Sequence, residues 1–305
     1  MRIEEYDINS YYKIFLDEAE NELEQVVISV NEGMTRARKL KEFKREFLGE
    51  TKNGQSCTIL NEEDLILRFN KKTRKLEASA YQPIRIKNEK LGYLIDYEII
   101  AFTIDYGYIN PNKEVYKVNG VFYQGTSFYK TIRDIDNKIE KRRDKAYKGS
   151  ILHFMSAICD KKLIEEDYQV FSSGLLVKPE KYIAVKTRAD SNLVDINMRL
   201  PFSILYDKRH QTDLIPRFKA GRTLRQKPIF KNKDTTTSEK IRALKRRDTI
   251  SLKRRHTSYY NTTFHIDNDR NFGPPTAFSF SGYMGALRIG DALPLDFNLD
   301  QLGSK

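Results

Sequence analysis

The stretch Leu91-Gly92-Tyr93-Leu94-Ile95-Asp96-Tyr97-Glu98-Ile99 decides the fold class. Tyr93, Ile95, Tyr97 and Ile99 recur at every second position, with Asp96 and Glu98 between them. A period of two places the apolar and aromatic side chains on one side of a β-strand and the carboxylates on the other, so one face is expected to be buried. Working outward, Leu65–Phe69 and Leu76–Ala80 flank the polar run Asn70-Lys71-Lys72-Thr73-Arg74-Lys75 and predict a hairpin. Ile84-Arg85-Ile86-Lys87 alternates, and Val115–Phe128 alternates less cleanly, with Gly120 and Gly125 marking sites for bulges. Shorter strands are expected at Tyr182–Val185, Leu193–Met198 and Phe202–Tyr206, Pro201 separating the last two, and again at Phe278–Phe280.

Helices interrupt this pattern in two places. Leu40, Phe43 and Phe47 share one face of a helix over Thr35–Phe47, which Thr35 can cap and Gly49 can end. Its other face is basic and reads as a solvated surface. Over Asp134–Cys159 two consecutive helices are predicted. Ile135, Ile139 and Ala146 mark the first, Gly149 stops it, and Ser150 caps a second with the apolar stripe Ile151, Phe154, Met155 and Ile158. The fold class is therefore α+β: a mostly antiparallel sheet over about Glu62–Tyr206, two consecutive helices near 134–160, and a C-terminal segment packed back onto the sheet.

The 305 residues suffice for a sizeable core, and no run approaches the 18 apolar residues that span a bilayer as a helix. The net charge of +12 is concentrated. Arg217–Arg255 holds 15 Lys and Arg against three acids, which is the whole excess, whereas Met1–Thr35 holds nine acids against two bases. Residues 217–255 are expected to form an exposed, mobile insertion. Basic residues beside aromatics can contact phosphates and bases, so Arg242, Lys245, Arg246, Arg247, Lys253, Arg254 and Arg255, followed by Tyr259 and Tyr260, are the candidate polyanion contacts.

Catalytic motifs are scarce. The four histidines, His153, His210, His256 and His265, begin neither a His-x-x-Glu nor a His-Glu-x-x-His pattern, so a metallocarboxypeptidase-type zinc site is not supported. His265 with Asp267 and Asp269 is the nearest approach to a ligand cluster and reads as a loop. Ser150 and His153 read as a helix cap and a packing residue rather than as a nucleophile and its base. Gly-x-Ser-x-Gly and phosphate-binding glycine loops are lacking. Cys57 and Cys159 are too few for a disulfide framework. Two separate buried thiols are expected, a bridge between them being the alternative.

Several blocks in fixed order resemble one family. They are Phe43–Gly49, Cys57 with Ile59-Leu60-Asn61, Asn88 with Leu91-Gly92-Tyr93, Tyr147-Lys148-Gly149-Ser150 with His153-Phe154, and Gly282-Tyr283-Met284-Gly285 with Arg288 and Leu293-Pro294-Leu295. The family is that of the secreted carboxypeptidase-like regulatory domain-containing proteins of Bacteroidota. The resemblance implies export to the periplasm or the outer-membrane periphery, and it implies neither peptidase activity nor catalytic residues. Residues 1–33 resemble the end of the small β-sandwich that opens these proteins. They are expected to be its remnant, with 34–305 as the α+β family domain. Met1-Arg2-Ile3-Glu4-Glu5 lacks the basic and apolar regions of a signal peptide, which leaves a cytoplasmic location as the alternative.

The function expected from these readings is a non-enzymatic cell-envelope binding or scaffold protein without metal or cofactor. Its partners would be anionic envelope components, lipid head groups or polysaccharide, or another envelope protein. The alternatives are a polyanion- or nucleic-acid-binding protein that uses 217–255, and a hydrolase.

Overall fold

A computed structural model describes residues 33–111, 114–132, 136–188, 192–216, 259–268 and 270–297. The chain is α+β and mostly antiparallel β. Helix α1 (Arg36–Leu48) starts where Thr35 accepts the Arg38 N–H and ends where the Gly49 N–H reaches the Arg45 carbonyl. Phe43 and Phe47 are fully buried, the first edge-on to Phe102 at 4.7 Å and the second edge-on to Tyr97 at 5.0 Å.

The basic face of α1 is only in part the solvated surface expected: Arg36 and Lys41 are exposed, but Lys39 is buried. The face lies along an edge strand, whose outward carbonyls have no ladder partner and need donors. Arg36 donates to the Leu65 carbonyl at 3.0 Å and Lys39 to that of Leu67 at 3.1 Å, while Arg38 lies 4.3 Å from the ring centre of Tyr116. The long aliphatic stems let Arg36 and Lys39 pack while their charged heads are satisfied, whereas the Arg38 Nε is buried without a hydrogen-bond partner.

Residues 57–131 form a six-stranded antiparallel sheet of β1 (Cys57–Ile59), β2 (Leu65–Asn70), β3 (Lys75–Ala80), β4 (Ile84–Asn88), β5 (Tyr93–Asn110) and β6 (Val115–Thr131). The eighteen-residue β5 is its spine. It pairs with β4 through Tyr93–Tyr97, with β3 through Thr103–Asp105, and with β6 along its length. The register shifts between Ile99 and Ala101, opposite Gly125, and again beside Gly120, where bulges were expected. One extra residue reverses the facing of every side chain beyond it. The buried positions are accordingly Tyr93, Ile95 and Tyr97 before the first bulge, and Phe102, Ile104 and Tyr106 after it.

Helices α2 (Asn137–Tyr147) and α3 (Ile151–Cys159) follow, capped by Asp136 and Ser150. Beyond them come β7 (Tyr168–Ser172), β8 (Leu175–Val177), β9 (Ile183–Thr187), β10 (Val194–Leu200), β11 (Phe202–Tyr206), β12 (His210–Pro216), β13 (Tyr260–Ile266), β14 (Phe272–Gly273) and β15 (Phe278–Gly282). The single helical turn α4 (Tyr283–Ala286) comes last. These nine strands make two sheets, ordered β14-β13-β10-β9 and β15-β12-β11-β7-β8.

Instead of one sheet over Glu62–Tyr206 there are three, because α2 and α3 divide the strands and Pro201 sends β10 and β11 into different sheets. Lacking an N–H, proline cannot continue the ladder of a central strand. The two later sheets share a core in which Ile196, Met198 and Phe264 meet Val170, Ile204 and Leu214, with Phe154 and Met155 of α3. The first sheet has its own core under α1. All but Gly33 of residues 1–33, read as a sandwich remnant, lie outside the described residues, as do Ile135, Asp269 and the whole expected insertion 217–255 with its seven candidate polyanion contacts between Arg242 and Arg255.

Candidate functional site

Two segments cross between the cores. Leu152 of α3 packs against the first, whereas Phe154 and Met155 belong to the second. The C-terminal chain runs the other way, with Met284 in the second core and Ile289 and Leu293 in the first. Between these crossings lies a cavity of about 190 Å³. Ser150, Ile151 and Leu152 line one side, Leu287, Ala292, Leu293 and Leu295 another, and Phe272 and Tyr123 close it. Arg270, Asn271, Arg288 and Asp291 supply its remaining polar groups.

Asn88, Arg288 and other residues of the resemblance blocks build the frame of this cavity together with residues outside them, Thr51, Asn53, Gly54, Gly290 and Asp291. The turn after α1 comes so near the C-terminal segment that a Cβ on Gly290 would stand 2.4 Å from the Gly54 Cα, so only glycine allows the approach. Asn88 donates to the Gly290 carbonyl at 2.9 Å and accepts the Leu91 N–H at 3.0 Å. Asp291 accepts Thr51 Oγ1 at 2.8 Å through one oxygen and Asn53 Nδ2 at 3.0 Å through the other. Burial raises the Asp291 pKa above the ordinary carboxylate value, while the Thr51 and Asn53 donors act against that rise. Arg288 donates to the Gly285 carbonyl at 2.6 Å and to Glu46 at 3.4 Å, and it hydrogen-bonds the Tyr123 hydroxyl.

The Gly149-Ser150-His153 block forms a closed knot. Gly149 has φ +76°, and its N–H donates to His153 Nδ1 at 3.0 Å. The Tyr168 hydroxyl stands 3.0 Å from the same nitrogen. An accepting Nδ1 leaves the proton on Nε2, which faces Glu166 at 3.1 Å. Burial lowers the His153 pKa, and Glu166 only partly opposes this. Ser150 Oγ accepts the backbone N–H of His153 at 3.2 Å, so the hydroxyl caps α3 rather than contacting the imidazole.

The other sequence candidates do not assemble. Asp267 Oδ1 accepts the Asn271 N–H and closes a turn at the end of β13, and His210 stacks on Tyr283 at 4.1 Å. Among the described residues no three His, Cys, Asp or Glu side chains gather as a metal site. Cys57 and Cys159 are free thiols in different parts of the fold, half-buried rather than buried as expected, and desolvation pushes Cys57 up to about 12. Sequence reading missed Asp291, Thr51, Asn53 and Arg270. Nothing in their spacing marks them, since Thr51 and Asp291 are 240 positions apart.

Comparison of the chain with protein-family models, with curated proteins and with solved structures returned no match.

Proposed function

We propose that this chain is a non-enzymatic binding or scaffold protein of the cell envelope, periplasmic or at the outer-membrane periphery. The observation that carries the reading is how the chemistry-bearing side chains are used. Both nitrogens of His153 and both oxygens of Asp291 are bonded within the protein, and the Ser150 hydroxyl holds a helix end. Each would have to abandon a fold-supporting bond to act on a substrate. Of these, Ser150 and Asp291 line the cavity, and side chains committed in this way preorganise it, which suits recognition. The envelope location rests on the family resemblance of the same blocks.

The test is a panel of hydrolase and peptidase substrates with and without zinc. No turnover is expected, and robust turnover abolished by His153→Ala would overturn the reading in favour of a hydrolase. The rival reading, polyanion or nucleic-acid contact through 217–255, rests on the +12 carried by that segment.

A further inference from the structure

Resting on that reading, we infer that the cavity between the two cores binds a small amphipathic monoanion, a carboxylate carried on an apolar tail. The walls divide by chemistry. Ile151, Leu152, Phe272, Leu287 and Leu293 supply the apolar surface, and Leu295, 46% exposed, stands at the rim. An apolar cavity of 150 Å³ holds a benzene ring, so about 190 Å³ admits a chain or ring of similar or slightly larger size.

The polar wall holds two cationic side chains against one carboxylate. Arg270 and Arg288 line it, and their carboxylate partners Asp160 and Glu46 do not. The lining carboxylate is Asp291, whose two oxygens are occupied by Thr51 and Asn53. A guanidinium has five N–H donors. For Arg288 the Gly285 carbonyl, Glu46 and Tyr123 engage three of them, which leaves capacity for a further acceptor. A carboxylate meets this wall in a fork-like geometry while its tail covers the leucines, and burial away from water strengthens the pairing. An uncharged alcohol would fill the apolar part and bring no negative charge to the remaining guanidinium donors. A short carboxylate such as acetate would meet the arginines and leave the leucines wet.

The experiment titrates the whole chain with hexanoate, hexan-1-ol and acetate by calorimetry at low salt, in the wild type and in Ala292→Phe and Arg270→Gln. The first substitution fills the cavity and the second removes a charge from its wall. Hexanoate is expected to bind at least tenfold more tightly than either comparison compound, and to weaken at least tenfold in both variants. Equal binding of hexan-1-ol would overturn the anionic assignment. Hexanoate binding unchanged in Ala292→Phe would overturn the site, as would no binding of any of the three. If Ala292→Phe does not reach the wild-type melting temperature, Leu295→Trp at the rim serves as the blocking variant under the same criteria. These outcomes are separate from the substrate panel. Turnover there removes the binding-protein reading, whereas failure of hexanoate alone removes only this ligand class.

Discussion

At Gly149 two costs coincide in one residue. A side chain at φ +76° is strained for any L-residue, and a Cβ would stand 2.6 Å from a ring carbon of Tyr206. Gly149→Ala is expected to destabilise by about 1–3 kcal/mol, read as a lower urea midpoint; an unchanged midpoint would refute the cap. His153 gives the same knot a pH dependence. Its folded pKa lies below the unfolded value because burial disfavours the imidazolium. The unfolded chain therefore binds the proton more readily. The stability contributed by neutral His153 is full above the unfolded value of roughly 6.5 and is lost as pH falls from there through the folded value. Unfolding curves at pH 7.5 and 5.0 should show this loss in the wild type and a smaller one in His153→Gln. Cys57 is the third case. With its pKa pushed up to about 12 by burial, it stays a thiol at pH 8. Half-buried, it should react with a disulfide reagent more slowly in the native protein than in urea, and equal rates in the two would contradict the raised pKa.

Helix α1 shows why an element can be legible while its energetics are not. The spacing of Leu40, Phe43 and Phe47 marks the helix and its apolar face. Nothing in Lys41-Glu42-Phe43-Lys44-Arg45 marks Glu42 as a residue that the fold encloses completely. It is placed between Arg38 at 2.9 Å and Arg45 at 2.8 Å, with the Tyr106 hydroxyl at 3.4 Å. Those partners come from the adjoining turns of α1 and from β5, and only the sheet brings the last one near. Removing Glu42 leaves Arg38 and Arg45, 19% and 29% exposed, with Glu114 and Glu46 as their remaining partners, so the cost is that of a partly screened group, about 1–3 kcal/mol. Glu42→Ala should therefore lose about that much in chemical denaturation, and a loss no larger than that of a surface substitution would show that solvent reaches the site. The same limit explains the missed hairpin of β11 and β12. Its turn residues Asp207 and Lys208 both have positive φ, at 47° and 53°, without the Asn-Gly pair that usually announces such a turn.

Across the whole molecule, alternation at Tyr93–Ile99 and the caps at Thr35, Gly149 and Ser150 made the α+β class and most elements before β12 readable. The division into three sheets and two cores was not readable, because it depends on which strands meet after the chain turns at Pro201. The cavity is further still from the sequence, since its polar frame joins residues such as Asn88 and Gly290, 202 positions apart. Charge is the property of the whole chain that sequence alone defines. Residues 217–255 carry all of the +12, and the remainder sums to zero. The flanking strands are each paired on both sides within the described residues, β12 with β11 and β15, and β13 with β10 and β14. Replacing 217–255 with a Gly/Ser linker of equal length should therefore leave the melting temperature unchanged and abolish retention on heparin. Retention of the intact chain should fall steeply with added salt, as expected when a polyanion releases its counterions to a cluster of Lys and Arg. Retention that survives the replacement would move the contact to the neutral body. A collapse in melting temperature would instead make 217–255 part of what holds the two later sheets together.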